Sequence, residues 1–268
     1  MLNRLFTKKG MRNVPIIQSV DRALRILELF DDREYELSIT EISKRMNLHK
    51  STIHSLLKTL QAHCYIKQNK ENGKYSLGLK LFERGYYVIE NMDLRTNARK
   101  YLELLSFQTK NTVHLVLLDG QEGVYIDKVE GHGVTVFYSK IGRRVPLHTS
   151  AVGKALVAFK DDSEIENILT NYQFTKRTDK TIMNKEEFLS ELQSVRNKGF
   201  AVDNEENETG IFCLAVPIMD HTDKVIAAIS MSLSSAKVKD EIIDEYKTLL
   251  KETGEQISVS LGYGYKRI

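Results

Sequence analysis

The sequence predicts an α+β protein in two parts, and three observations carry that reading. Between residues 20 and 61, apolar side chains recur three and four apart, the period of helices that pack on a core. An Asn72-Gly73 step between two short β-type runs marks a hairpin directly after them. Beyond residue 95, strands joined by short turns and helices grouped apart from them point to an antiparallel sheet flanked by helices.

The elements follow in order. A first helix is expected over 20–30, with Val20, Ala23, Leu24, Leu27 and Phe30 turned inward and Ser19 as its N-cap. A second, over 40–46, turns in Ile39, Ile42 and Met46, and Asn47-Leu48 makes the turn. A third runs over 49–61 on a core stripe of Ile53, Leu56, Leu57 and Leu60. Strands over 65–68 and 74–77 then flank a turn at Glu71-Asn72-Gly73, where Asn and Gly tolerate positive φ. Helix, turn, helix and basic hairpin make a winged helix-turn-helix over 13–78.

Residues 79–95 read as a linker helix, broken by no Pro and by Gly85 alone. The second domain, 96–268, opens with a helix that starts near 93 and ends near 109. Strands follow over 112–118, 123–129 and 134–139, then helices over 150–159, 163–170 and 185–198. Strands over 200–203, 212–219 and 225–233 and a long helix over 238–261 complete it.

Composition limits the function classes. At 268 residues with 41% hydrophobic and 28% charged side chains, the chain is that of a water-soluble globular protein. It has no apolar run near the ~18 residues a membrane span needs, so no membrane partner is expected. The N-terminal stretch lacks the apolar core of a secretory signal, and Cys64 and Cys213 stand far apart, which together suit reduced thiols in the cytoplasm. Charge is uneven: residues 1–78 carry 14 Lys+Arg against 8 Asp+Glu, the rest 25 against 28. Only the first part is suited to a polyanion.

On a wheel of the third helix, Ser51, His54, Ser55 and Lys58 lie opposite Ile53, with Lys50 and Thr52 at the N-terminal end. No Asp or Glu occurs from Asn47 to Gln68, so nothing on that face repels phosphate. These six residues, with Lys70 and Lys74 on the wing, are the candidate DNA contacts. A helical protein-interaction module with a hairpin ornament is the competing reading.

In the second domain, Ser150 sits where a loop enters a helix, beside Thr149 and ahead of Gly153. Such a start offers backbone N–H groups to a carboxylate, and equally serves as an ordinary cap with a packing glycine. Asp203 follows a short apolar strand within the acidic run DNEENE, in which Glu205, Glu206 and Glu208 read as a solvated loop. Ile211 and Cys213 share one face of a strand, as do Ser230 and Ser232 of the last one, where buried hydroxyls need partners. Catalysis has no motif to stand on: His148, Asp203, Cys213 and His221 match neither a metal-ligand spacing nor a nucleophile signature. No metal and no cofactor is expected.

The stretches IQSVDRALRILELF, ITEISKRMNLHKSTIHSLLKTL and YSLGLKLFERG resemble the N-terminal half of IclR-type bacterial transcriptional regulators. The segments GRRVPLHTSAVGKALVA, GFAVDNEENETGIFCLAVPI and VIAAISMSL resemble that family's effector domain, in its order. The resemblance implies a GAF-like sensor fold and a helix joining it to the DNA-binding part, whose N-terminal segments pair subunits. It also implies an effector pocket lined by Leu147, Gly153, Asp203, Ile211, Cys213, Ser230 and Ser232. The expected function is therefore a ligand-responsive regulator, on family habit a repressor, acting as a homodimer or homotetramer on a palindromic double-stranded DNA operator. Its effector is expected to be a small organic acid or sugar acid. The competing function is a sensor or adaptor that works through protein contacts alone.

Overall fold

The computed structural model describes residues 16–31, 33–90, 93–131 and 139–264. The chain divides between Asn91 and Met92 into two compact units.

The first unit holds α1 (Gln18–Leu27), α2 (Ile39–Met46), α3 (Lys50–Ala62), β1 (Ile66–Gln68), β2 (Tyr75–Leu77) and α4 (Leu79–Glu90). Its core joins Ile26, Leu37, Ile42, Ile53, Leu57 and Ile66, each at most 2% exposed. The helices begin and end for local reasons. A reciprocal capping box starts α2, with Ser38 Oγ accepting from Glu41 N–H and the Glu41 carboxylate accepting from Ser38 N–H. Asn47 ends it in the left-handed region at φ 52°.

Two expectations for α1 are corrected. Its N-cap is Ile17, with no side-chain cap bond, so Ser19 lies inside the helix. The helix stops at Leu27, where Leu29 N–H turns back to Ile26 O at 3.2 Å, and beyond it the Asp31 carboxylate accepts from the N–H groups of Arg33 and Glu34, both at 2.9 Å, in a turn. Ile26 and Phe30 face the core, while Val20 and Leu24 are 53% and 55% exposed. This helix is apolar on two sides, and periodicity alone could not say which side meets its own unit.

The wing is also longer in its turn than the Asn-Gly signal implied. β1 and β2 pair antiparallel from Ile66↔Leu77 to Gln68↔Tyr75. Asn69 N–H donates to Lys74 O and Gly73 N–H to Asn69 O, so six residues close the loop. Only Gly73, at φ 70°, needs the left-handed freedom; Asn72 instead accepts from Lys74 N–H. Leu37 also bridges to β2 through a pair of backbone bonds to Tyr75. The helix expected to run to residue 95 ends at Glu90, and Arg95 belongs to the next helix.

The second unit begins with α5 (Asp93–Thr109), β3 (Thr112–Asp119), β4 (Glu122–Val129) and β5 (Arg144–Pro146). It continues with α6 (Ala151–Ala158), α7 (Asp162–Ile168), α8 (Lys185–Lys198), β6 (Ala201–Asn204), β7 (Ile211–Met219), β8 (Val225–Ser234) and α9 (Asp240–Ser260). The six strands form one sheet in the order β5-β4-β3-β8-β7-β6, with every neighbouring pair antiparallel. Period-two alternation splits its side chains between two cores. Leu214, Ile229 and Met231 meet α5 and α9 on one face; Val116, Ala215 and Ala228 meet α6 and α8 on the other. The strand expected over 134–139 falls on residues outside those described, except for Ser139, which is in no strand. The edge strand β5, too short to show alternation, was not foreseen.

Candidate nucleic-acid face and ligand cavity

In the first unit, Ile53 and Leu57 anchor α3 to the core and fix its rotation. Ser43 Oγ donates to Leu48 O at 2.6 Å and pins the turn before it. Lys50, Ser51, His54, Ser55 and Lys58 are exposed on the opposite side, and Thr52 is half-buried at its edge. Ser55 Oγ donates to Ser51 O at 3.1 Å, which leaves its lone pairs outward as acceptors. On the wing, Lys70 is exposed and Lys74 half-buried. The wing tip is held by the Glu36 carboxylate, which accepts from the Asn69 and Asn72 amides at 3.4 and 3.0 Å. The eight sequence-predicted residues thus fall on one helix and one hairpin of the same unit, with no acid on the helix itself.

In the second unit, a narrow cavity of about 30 Å³ opens between the sheet and the start of α6. Ser150, Asp203, Ile211, Cys213, Ser230 and Ser232, all expected, line it. Leu147 and Gly153, also expected, do not. A Cβ on Gly153 would lie 2.4 Å from Leu147 Cα, so this glycine serves the crossing of α6 over Leu147 behind the wall. Ser150 caps α6: its Oγ accepts from Gly153 N–H at 3.1 Å and donates to Pro146 O at 2.8 Å. The first two helical residues, Ala151 and Val152, lie on the wall, at the end where a helix has unpaired N–H groups.

Sequence reasoning missed Tyr125, Ser139, Asn207 and Glu208, which also line the cavity. It also misjudged the acidic run. Glu206 is buried, and Glu208 faces the cavity rather than open water. The reason is Lys154, 1% exposed on α6, whose Nζ donates to Glu206 Oε1 and Val202 O, both at 2.7 Å. A lysine inside the apolar run AVGKALVA was the available signal that a buried partner existed. Burial raises the Glu206 carboxyl pKa against the pull of Lys154.

Asp203 is the chemical centre of the wall. Its Oδ1 accepts from the N–H groups of Glu206 at 2.7 Å and Asn207 at 3.3 Å, which folds the acidic loop around it. Burial pushes its carboxyl up to about 7, opposed by those N–H bonds and by Lys154. Cys213 Sγ lies 3.2 Å from Ser232 Oγ, and loss of water pushes its thiol well above the ordinary range. Such a thiol is a poor nucleophile. His148 is fully buried away from this wall, with Nδ1 2.8 Å from Tyr172 Oη and Nε2 3.1 Å from Thr175 O. Desolvation lowers its pKa, so it is a neutral packing residue whose ring tautomer is set by those partners. Among the described residues, no group of three or more His, Cys, Asp and Glu could hold a metal ion.

A sequence profile described as "IclR helix-turn-helix domain" matches residues 19–70, and one described as "Bacterial transcriptional regulator IclR C-terminal" matches 86–259. The chain belongs to the IclR family of bacterial transcriptional regulators. The HTH-type transcriptional regulator XynR of Escherichia coli K12 is 49% identical over 250 residues, covering 93% of this chain and 99% of that protein. The regulator KdgR of the same strain is 38% identical, covering 94% of this chain and 98% of its own. The crystal structure of Thermotoga maritima IclR superposes with a TM-score of 0.77 at 36% identity, covering 92% of this chain and all of that one. This IclR-family chain is a DNA-binding transcriptional regulator and not an enzyme. Among the described residues no helix is long and apolar enough to cross a membrane.

Proposed function

We propose that this protein is a ligand-responsive repressor that reads a palindromic operator through α3 and the wing and senses a small carboxylate or sugar acid in the second unit. The observation that carries the proposal is the cavity wall: four serines, Tyr125 and Asp203 offer hydrogen bonds to an oxygen-rich ligand, while the first turn of α6 favours an anion. On the DNA side, Ser51, His54 and Ser55 would read base edges. Lys50, Thr52 and Lys58 would hold adjacent phosphates, and Lys70 and Lys74 the backbone beside the wing.

The division of labour is DNA binding by residues 13–78, coupling through 79–95 and sensing by 96–268. A second copy of the chain completes the active form. Leu79 and Phe82 on α4 are 82% and 73% exposed, and Val20 and Leu24 on α1 are similarly bare, an apolar load that favours pairing. Twofold pairing also matches a palindrome. As a chromosomal regulator the protein acts in the cytoplasm. Repression is the simpler output, because a dimer on a promoter blocks polymerase without contacting it.

The test is fluorescence anisotropy with DNA from upstream of the protein's own gene. Affinity should fall steeply with salt, by about 0.9 in log-log slope for each phosphate bound, and an added sugar acid should release the DNA. A flat salt response would favour an adaptor that works through protein contacts.

A further inference from the structure

We propose that Glu36 is a positioning residue for operator binding: its carboxylate fixes the angle at which the wing presents Lys70 and Lys74 to DNA. The proposal rests on the wing contacts proposed above. The tip of the wing sets its own shape. Asn69 Oδ1 accepts from Glu71 N–H and Asn72 Oδ1 from Lys74 N–H, both at 2.9 Å. Gln68 Nε2 donates to Gly73 O, also at 2.9 Å. These bonds leave the direction of the tip open, because β1 and β2 are three residues each and so short a ribbon is not stiff by itself.

Glu36 supplies the direction from outside the hairpin. Its carboxylate accepts from Asn72 Nδ2 at 3.0 Å and from Asn69 Nδ2 at 3.4 Å. Each asparagine therefore spends its oxygen on the turn and its nitrogen on Glu36, which ties the shape of the tip to its orientation. Glu36 itself stands on a fixed base. The next residue, Leu37, is 2% exposed and exchanges two backbone bonds with Tyr75, at 2.9 and 2.8 Å. Ser38 then opens the capping box of α2, the helix that leads into α3. A carboxylate at a DNA-facing tip also repels phosphate. Removing it has two effects of opposite sign: repulsion is relieved and the tip is released. A surface charge with no positioning role shows the first effect alone.

The experiment measures fluorescence anisotropy of the full-length protein on a duplex from upstream of its own gene, across a salt series. Glu36→Ala should lower affinity by about fivefold, from the loss of hydrogen bonds to a charged group. Its log-log salt slope should become less negative by about 0.9, as one wing phosphate contact is lost. Glu36→Gln keeps an acceptor for Asn72 and drops the charge, so it should bind more tightly than Glu36→Ala. In a Lys70→Ala/Lys74→Ala background, Glu36→Ala should cost no further affinity, because nothing remains for it to aim. Affinity of Glu36→Ala equal to or above that of the wild type overturns the proposal. So does an undiminished loss in the double-lysine background, which would place the fault in the fold or in α3. If Lys70→Ala/Lys74→Ala itself binds as the wild type does, the wing reading falls and this proposal with it.

Discussion

Replacing Asp203 by Asn should stabilise the protein at pH 8 and leave it nearly unaffected at pH 4. The side chain is 3% exposed, and its carboxyl titrates at about 7 in the fold against an ordinary 3.8. A folded pKa above the unfolded one means the fold holds the proton more tightly. The stability this adds is complete below about pH 4 and is lost as pH rises to about 7. The gap between 3.8 and about 7 corresponds to a free energy on the order of 4 kcal/mol. Asparagine mimics the protonated acid and still offers Oδ1 to the N–H groups of Glu206 and Asn207.

Urea unfolding followed by circular dichroism, from pH 4 to 8, measures this directly; the chain has no Trp to follow instead. The wild type should weaken with rising pH and the variant far less. Glu206, raised by the same burial, leaves the variant with a residual slope of the same sign. Equal stability of the two proteins at pH 8, or a weaker variant, would show that Asp203 is better solvated or better paired than its surroundings imply. Retention of a carboxylate there despite such a penalty is what a binding function explains.

Other outcomes follow from the same geometry. Lys154→Met should cost about 3–5 kcal/mol of unfolding free energy, because Glu206 is left buried without its cation, and adding Glu206→Gln should recover much of it. Lys58→Ala should weaken operator binding and make the salt slope less negative by about 0.9, whereas Ser55→Ala should weaken binding with the slope intact. If both variants bind as the wild type does, α3 is not the reading helix. Phe82→Asp, at an exposed apolar site on α4, should shift the protein toward monomer in size-exclusion chromatography and lower operator affinity with it.

How much of this was legible in the sequence depended on the range of the interaction concerned. The capping box of α2, the acid-free face of α3 and the alternation of β7 and β8 are local patterns, and each could be read from neighbours in sequence. Asp203, Ile211, Cys213, Ser230 and Ser232 came from the resemblance to a known family, and they do share one wall. Pairings across the chain were invisible. Lys154 meets Glu206 52 residues away, and His114 meets Ser230 116 residues away, so neither partner announces the other. Tyr125 enters the cavity because of a bulge: Leu115 pairs with Asp127 while Val116 pairs with Tyr125, so Ile126 is skipped and the facing of β4 shifts. A strict period-two reading cannot anticipate that extra residue.

The same bulge bears on how sensing reaches the DNA-binding part. Tyr125 lies on the cavity side of β4, while Asp127, two residues on, is buried and ion-paired to Arg99 and Arg95 of α5 at 2.8 and 3.5 Å. That helix is the first element after the linker. The cavity, at about 30 Å³, has room for ~2 waters, far below the ~300 Å³ of a usual ligand site. An effector of the class proposed above would therefore need a more open form, and it could shift the equilibrium only by its preference for that form. Opening against the Tyr125 wall would strain a strand that also grips α5. On the proposed function, a ligand that binds only the open cavity would thus act on α5 through covalent backbone, with no chain of side-chain contacts required.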